Sequence, residues 1–134
     1  MSLLTSILPI IIALIVFCVL IVSHEFGHFI AAKLMGVRVN EFAVGFGPRL
    51  FSKQWGETKY AFNLIPLGGY CAMEGEDEDS ADSRAFCNKK PWRRFIIVVM
   101  GALFNLLLGL IIVAVILAPS EAFTSTVIAE FNEN

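Results

Sequence analysis

Two apolar stretches frame the chain. Leu3 to Ser23 carries no charge, and the apolar run continues past it through Phe29, Ile30, Ala31 and Ala32. Phe95 to Ala118 is 24 residues with a single polar side chain, Asn105. A bilayer core of about 30 Å takes about 20 helical residues, so both stretches are predicted to be spanning helices. Pro9 falls near the start of the first, where a helix tolerates it best. Gly36 predicts the end of that helix. Beyond it the period changes to two: Val37, Val39 and Glu41 alternate with Arg38, Asn40 and Phe42, and Thr58 to Ile65 alternates again. Gly45, Gly47, Pro48 and the turn Gln54-Trp55-Gly56-Glu57 separate the two runs. The predicted fold class is an α-helical integral membrane protein, with two transmembrane helices joined by a loop. That loop holds a small membrane-reentrant β-hairpin or sheet, because Phe42, Val44, Phe46, Leu50 and Phe51 are apolar enough to enter the membrane edge. Backbone of that kind needs protein or water to cover it at depth. The chain divides into 1–35, 36–94, 95–118 and 119–134.

Composition agrees. Of 134 residues 57% are hydrophobic and 16% charged, with mean hydropathy +0.73, against ~45–50% and ~25% in soluble domains. Such a chain is too rich in aromatic and branched residues to be disordered. A net charge of -2 and a pI near 5.6 disfavour a nucleic-acid partner. Three separated cysteines (Cys18, Cys71, Cys87) exclude a disulfide scaffold. All ten basic residues lie from Lys33 to Arg94, and Lys89, Lys90, Arg93 and Arg94 stand directly before the second stretch. The positive-inside rule predicts a multi-pass cell-membrane protein with loop 33–94 cytoplasmic and both termini extracytoplasmic. Cys71 and Cys87 are then expected as free thiols. Met1 to Leu8 has no lysine or arginine, so the first stretch is read as retained rather than as a cleaved signal. Glu74 to Ser83 has six acids and no base, which predicts a mobile, solvated loop.

The chemistry sits in Ser23-His24-Glu25-Phe26-Gly27-His28. On a helix, positions i and i+4 share a face, so His24 and His28 can converge on one metal ion. Glu25 points aside and can take a proton from a water that the metal activates. Gly27 keeps one side of the helix thin, for a substrate or a neighbouring helix. A histidine in an apolar stretch is ordinarily a satisfied core residue. Here the only two histidines of the chain flank the only acid of its first 40 residues, and ionisable groups at membrane depth default to function. Catalytic zinc normally takes three protein ligands. Asp77, Asp79 and Asp82 read as solvated loop, and Cys71 has no C-x-x-C partner.

Together with these residues, Gly45-Phe46-Gly47-Pro48, Asn63 to Tyr70, Met73 to Glu78, Arg84-Ala85-Phe86, Lys89 to Arg94 and Gly101-Ala102-Leu103-Phe104-Asn105 resemble the site-2 proteases, specifically the bacterial branch that cleaves anti-sigma factors. The resemblance implies an intramembrane zinc metalloendopeptidase, with His24 and His28 on Zn2+, Glu25 catalytic and single-pass membrane proteins as substrates. It also implies a third ligand, an aspartate in an L-D-G motif on a later helix. No L-D-G occurs here and the sequence stops at Asn134. The expectation is the N-terminal portion of a longer protease, or a product cut short, inactive alone. Thr124 to Phe131 looks like the first strand of a PDZ-like domain. Rival readings are another membrane-anchored zincin with a cytoplasmic site, and a catalytically incomplete membrane fragment that binds partners.

Gly45, Phe46, Gly47 and Asn105 are the candidate substrate-binding residues. A free strand edge near the metal would pair with an unwound substrate, the glycines permitting close approach; the alternative is a hairpin that only shields the site. Asn105 holds substrate, or joins the helices with a bond of ~0.6–2 kcal/mol. Gly101 and Gly109 are read as close-packing surfaces. The expected partners are a membrane-protein substrate and the lipid bilayer; nothing bears on oligomeric state.

Overall fold

The computed structural model describes residues 3–118, and the side chains of Ser6 onward. Four elements follow one another: α1 (Leu3–Leu34), β1 (Val39–Trp55), β2 (Thr58–Met73) and α2 (Pro91–Leu117). Both helices are long and apolar enough to cross a bilayer. The expected strand at Thr124 to Phe131 lies outside the described residues.

α1 stops where Gly36 turns left-handed, at φ 72°. The Gly36 N–H donates to Lys33 O at 3.2 Å and the Val37 N–H to Ala32 O at 2.8 Å. This pair of reversed bonds uses two carbonyls that the helix end would otherwise leave open. α2 begins at Pro91, four residues before the apolar stretch that announced it. The reason is local. Proline at the first helical position has no N–H to waste and its φ is already helical, so the basic residues Arg93 and Arg94 are drawn into the helix.

β1 and β2 form a two-stranded antiparallel sheet joined by Gly56-Glu57, with Trp55 opposite Thr58. Both strands are bent. Glu41, Phe42, Ala43 and Val44 face Ala72, Cys71, Tyr70 and Gly69 on one side, and Lys59, Tyr60, Ala61 and Phe62 on the other. The first half of β1 is thus sandwiched between the two halves of β2, while its second half, Phe51 to Trp55, pairs with Thr58 to Phe62. Gly45 and Gly47, at φ 84° and 83°, make the bend; a side chain at Gly45 would lie 2.5 Å from Ile65 O. The buried Asn63 fixes it by donating to Gly45 O at 2.9 Å.

Two contacts set the sheet along α1. Lys33 and Glu57 pair at 2.6 Å near the helix end, and the Cys18 thiol donates to Pro66 O at 2.8 Å. Fifteen residues separate Lys33 from Cys18, about 22 Å of helix. The sheet therefore runs along the lower part of α1 and past residues 24–28. The small core, Ala31, Ala32, Val37, Val39, Cys71, Phe86 and Ile97, gathers where both helix ends meet the sheet.

The acidic loop is more ordered than its charge suggests. Glu74 accepts from Asn40 and Ser80 at 2.8 and 2.7 Å, and Phe86 N–H donates to Glu74 O. Arg84 bonds Glu57 at 2.7 Å. Glu76 to Asp79, Ala81 and Ser83 stand exposed. Hydrogen-bond partners supplied by residues distant in sequence hold down what local charge alone would leave loose. Gly109, expected to pack, has open space around it.

Candidate metal centre

His24 and His28 lie one turn apart on α1, and their rings meet edge to face with centroids 4.7 Å apart. α2 arranges them through its backbone. The His28 Nδ1 lies 2.8 Å from Ile97 O. A carbonyl only accepts, so Nδ1 carries the proton and Nε2 keeps the lone pair. One turn further on, Gly101 makes room: a Cβ there would lie 2.5 Å from His28 Nε2 and 2.8 Å from His24 Cε1. Gly27 completes the contact from the other side, since a Cβ on it would stand 2.5 Å from Met100 O. The thin face at Gly27 therefore serves α2. Two glycines let the backbones approach, and that approach delivers a carbonyl to one imidazole.

Glu25 faces the sheet. The Cys71 N–H approaches its carboxylate, and a side chain at Gly69 would sit 3.6 Å from Glu25 Cγ. Glu25, His28, Cys71, Glu76, Phe86 and Ile97 border a cavity of about 310 Å³. Burial, with the Glu25 and Glu76 charges nearby, pushes the Cys71 thiol up to about 12, against the opposing pull of Lys33.

The structure thus brings His24, Glu25 and His28 together. Gly45 and Gly47 bend β1, and the Phe46 ring lies over Gly68, where a Cβ would come within 2.1 Å of it, and stacks on Tyr70. The strand segment that meets Glu25 is Gly69 to Cys71, which sequence reasoning passed over. Asn105 follows Gly101 by one turn, and its Oδ1 is shut from solvent with no partner among the described residues. Ile97 could not have been found from sequence, because it acts through its carbonyl. Gly101 carried a faint signal, as a small residue four places before the lone polar residue of an apolar helix.

Do these residues fit zinc? Two imidazoles on one helical face, one oriented by a carbonyl at its other nitrogen, would supply two ligands of a catalytic site. No cluster of three His, Cys, Asp or Glu able to hold a metal occurs among the described residues. The fit is that of two ligands out of three.

An imidazole pair beside a carboxylate, on a helix long enough to span a bilayer, is the arrangement that a membrane metallopeptidase would use. Comparison with known sequences gives the family: the profile of peptidase family M50 matches residues 12–133, and the chain belongs to that family, the site-2 proteases. A relative from Clostridium perfringens, classed by name with the zinc metalloproteases, is 45% identical over 125 residues, 93% of this chain and 37% of its own length. Similarly named relatives from Clostridium acetobutylicum and Helicobacter pylori are 40% and 34% identical over 129 and 132 residues. These cover 96% and 92% of this chain but 38% and 37% of the relatives. The chain spans well under half the length of the relatives it matches.

Proposed function

We propose that this chain supplies two zinc ligands and the general base of an intramembrane endopeptidase acting on single-pass membrane proteins. The observation that carries the reading is the ring pair of His24 and His28, set against α2 by Ile97 O and the bare Cα of Gly101. His24 and His28 would hold the ion, and a ligand outside the described residues would complete the set. Bound zinc polarises the scissile carbonyl and brings a water pKa to about 7. The Glu25 carboxylate takes the proton of the attacking water and returns it to the leaving amine nitrogen.

Three features support a membrane setting. α1 and α2 have the length, the sheet reaches Cys18 along α1, and the sheet tip exposes Phe46, Leu50, Phe51, Phe62, Leu64 and Ile65. With the loop 33–94 cytoplasmic, that tip enters the bilayer from the cytoplasmic side. An extended substrate lies along Gly69 to Cys71 beside Glu25, adding a strand to β2. Gly45, Phe46 and Gly47 serve it by shaping the bend behind that edge, and Asn105 offers it a hydrogen bond.

The test is zinc content and cleavage in the intact membrane-reconstituted protein carrying this sequence. Glu25→Gln should keep zinc and lose cleavage, while His24→Ala and His28→Ala lose both. Zinc retained without either histidine would end the reading. Accessibility of a cysteine placed at Ser23 separates it from a zincin whose site lies in the cytoplasm.

A further inference from the structure

The basic residues fall into two groups. Lys33, Arg38, Arg49 and Arg84 are each paired with a carboxylate, on Glu57, Asp82, Glu41 and Glu57 respectively. Lys89, Lys90, Arg93 and Arg94, at the head of α2, have no carboxylate partner among the described residues. Arg94 turns toward the acidic loop, packing on Phe86 and sharing a cavity with Asp77 and Asp79. Lys89 also reaches that loop, donating to Ser83 O at 3.2 Å, but it stays beside Lys90 and Arg93. Lys89 Nζ lies 3.8 Å from the position of a Gly36 Cβ, and Arg93 donates to Met35 O at 3.3 Å, so both cations are held at the same end of α1. Lys90 stands exposed beside them.

Like charges gathered without a counter-charge repel, and Arg93 Nε is closed off from solvent with no acceptor. The backbone does not supply the attraction, because Arg93 and Arg94 N–H are engaged by Lys90 O. An anion is the missing component. Its source follows from the neighbours. Trp92, under the Arg93 guanidinium at 5.3 Å, and Phe95 are 52% and 68% exposed, and Phe95 opens the apolar stretch of α2. An exposed tryptophan between cations and an apolar span is the residue pattern of a membrane surface.

We propose that Lys89, Lys90 and Arg93, with Trp92 as the apolar flank, bind the phosphate of an anionic phospholipid headgroup. Filling this site clamps the end of α1 to the start of α2. Arg93 and Ile97 are one turn apart, so the clamp lies directly above the carbonyl that orients His28. The proposal rests on the membrane setting argued above but not on peptidase activity.

The experiment uses the chain with Trp55→Phe, leaving Trp92 as the only tryptophan, in vesicles of phosphatidylcholine and phosphatidylglycerol. The bromine label is placed on the acyl chains of one lipid or the other. Brominated phosphatidylglycerol should quench Trp92 more strongly than brominated phosphatidylcholine at equal mole fraction, and added inorganic phosphate should not reverse this. Each cation near an anionic surface is worth about a fivefold preference, so Lys90→Gln and Arg93→Gln should each reduce it several-fold. Lys90 is exposed and makes no side-chain bond, so its variant keeps the fold even if that of Arg93 does not. Equal quenching by the two labelled lipids, or a preference that survives both substitutions, overturns the site alone. Quenching by neither overturns the membrane setting as well.

Discussion

The two halves of α1 differ in hydrophobicity and in surroundings, and the more apolar half is the less packed. From Ile7 to Val19 the large side chains are 42–60% exposed, and the recorded polar contact there is Cys18 with Pro66. Between His24 and Ala32 one face of the helix is enclosed: Gly27 is buried with Met100 O close by, Phe29 packs against Phe42 and Tyr60, and Ala31 and Ala32 are fully buried, while Phe26 and Leu34 stay exposed. Apolarity alone therefore does not determine where α1 packs. Small residues do, because they let a second backbone come close enough to bring a carbonyl to His28. His24, Glu25 and His28 lie in the packed half, where side-chain geometry is held by neighbours. The bare half is left to contact lipid or other protein.

Substitutions should break this contrast in a definite order. The largest effect is expected for Glu25→Gln, which should cut cleavage by about 10²–10⁴ while zinc, measured by elemental analysis, is retained. Gly101→Ala comes next. Its methyl group would stand in the space of two imidazoles, and zinc affinity, read by competition with a chelator, should fall about 10–100-fold. Gly27→Ala overpacks the backbone contact and should lower stability by about 1–3 kcal/mol, visible as a lower melting temperature. A smaller, pH-dependent effect concerns Glu57, whose carboxyl is held down to about 2 by hydrogen bonds from Arg84 and then Lys33, against an ordinary 4.5. A depressed carboxylate stabilises fully above its ordinary pKa and loses that contribution as pH falls toward 2. Glu57→Gln should flatten the acid-unfolding profile over that window. The smallest change belongs to Gly109→Ala, since nothing surrounds that glycine. It should be neutral or add up to about 1 kcal/mol; a loss as large as that at Gly27 would mean that the bare face has a partner.

Much of the molecule was legible in the order of residues. Charge-free length announced both helices, Gly36 the end of the first, and Gly56-Glu57 the turn between strands, because each depends on local physics: transfer free energy, left-handed backbone, tight reversal. The pair His24 and His28 with Glu25 was legible for the same reason, since helical spacing alone fixes a shared face. Pro91 was passed over as a helix start because hydrophobicity marks where a helix meets lipid and not where its hydrogen bonds begin. The exposure of the acidic loop was legible in its charge, but its anchors, Asn40, Arg38 and Glu57, were not, because they lie far away in sequence.

What the sequence determined by itself is the set of elements and the pairing of His24 with His28 on one face of α1, both written in interactions within four or five residues. Tertiary structure decided the rest. Ile97 O on His28, the vacancy at Gly101, and Gly69 to Cys71 against Glu25 come from elements up to 70-odd residues apart. These contacts involve backbone atoms and missing side chains, which have no residue type to read. Only the docking of α2 and the bent sheet onto α1 makes them exist.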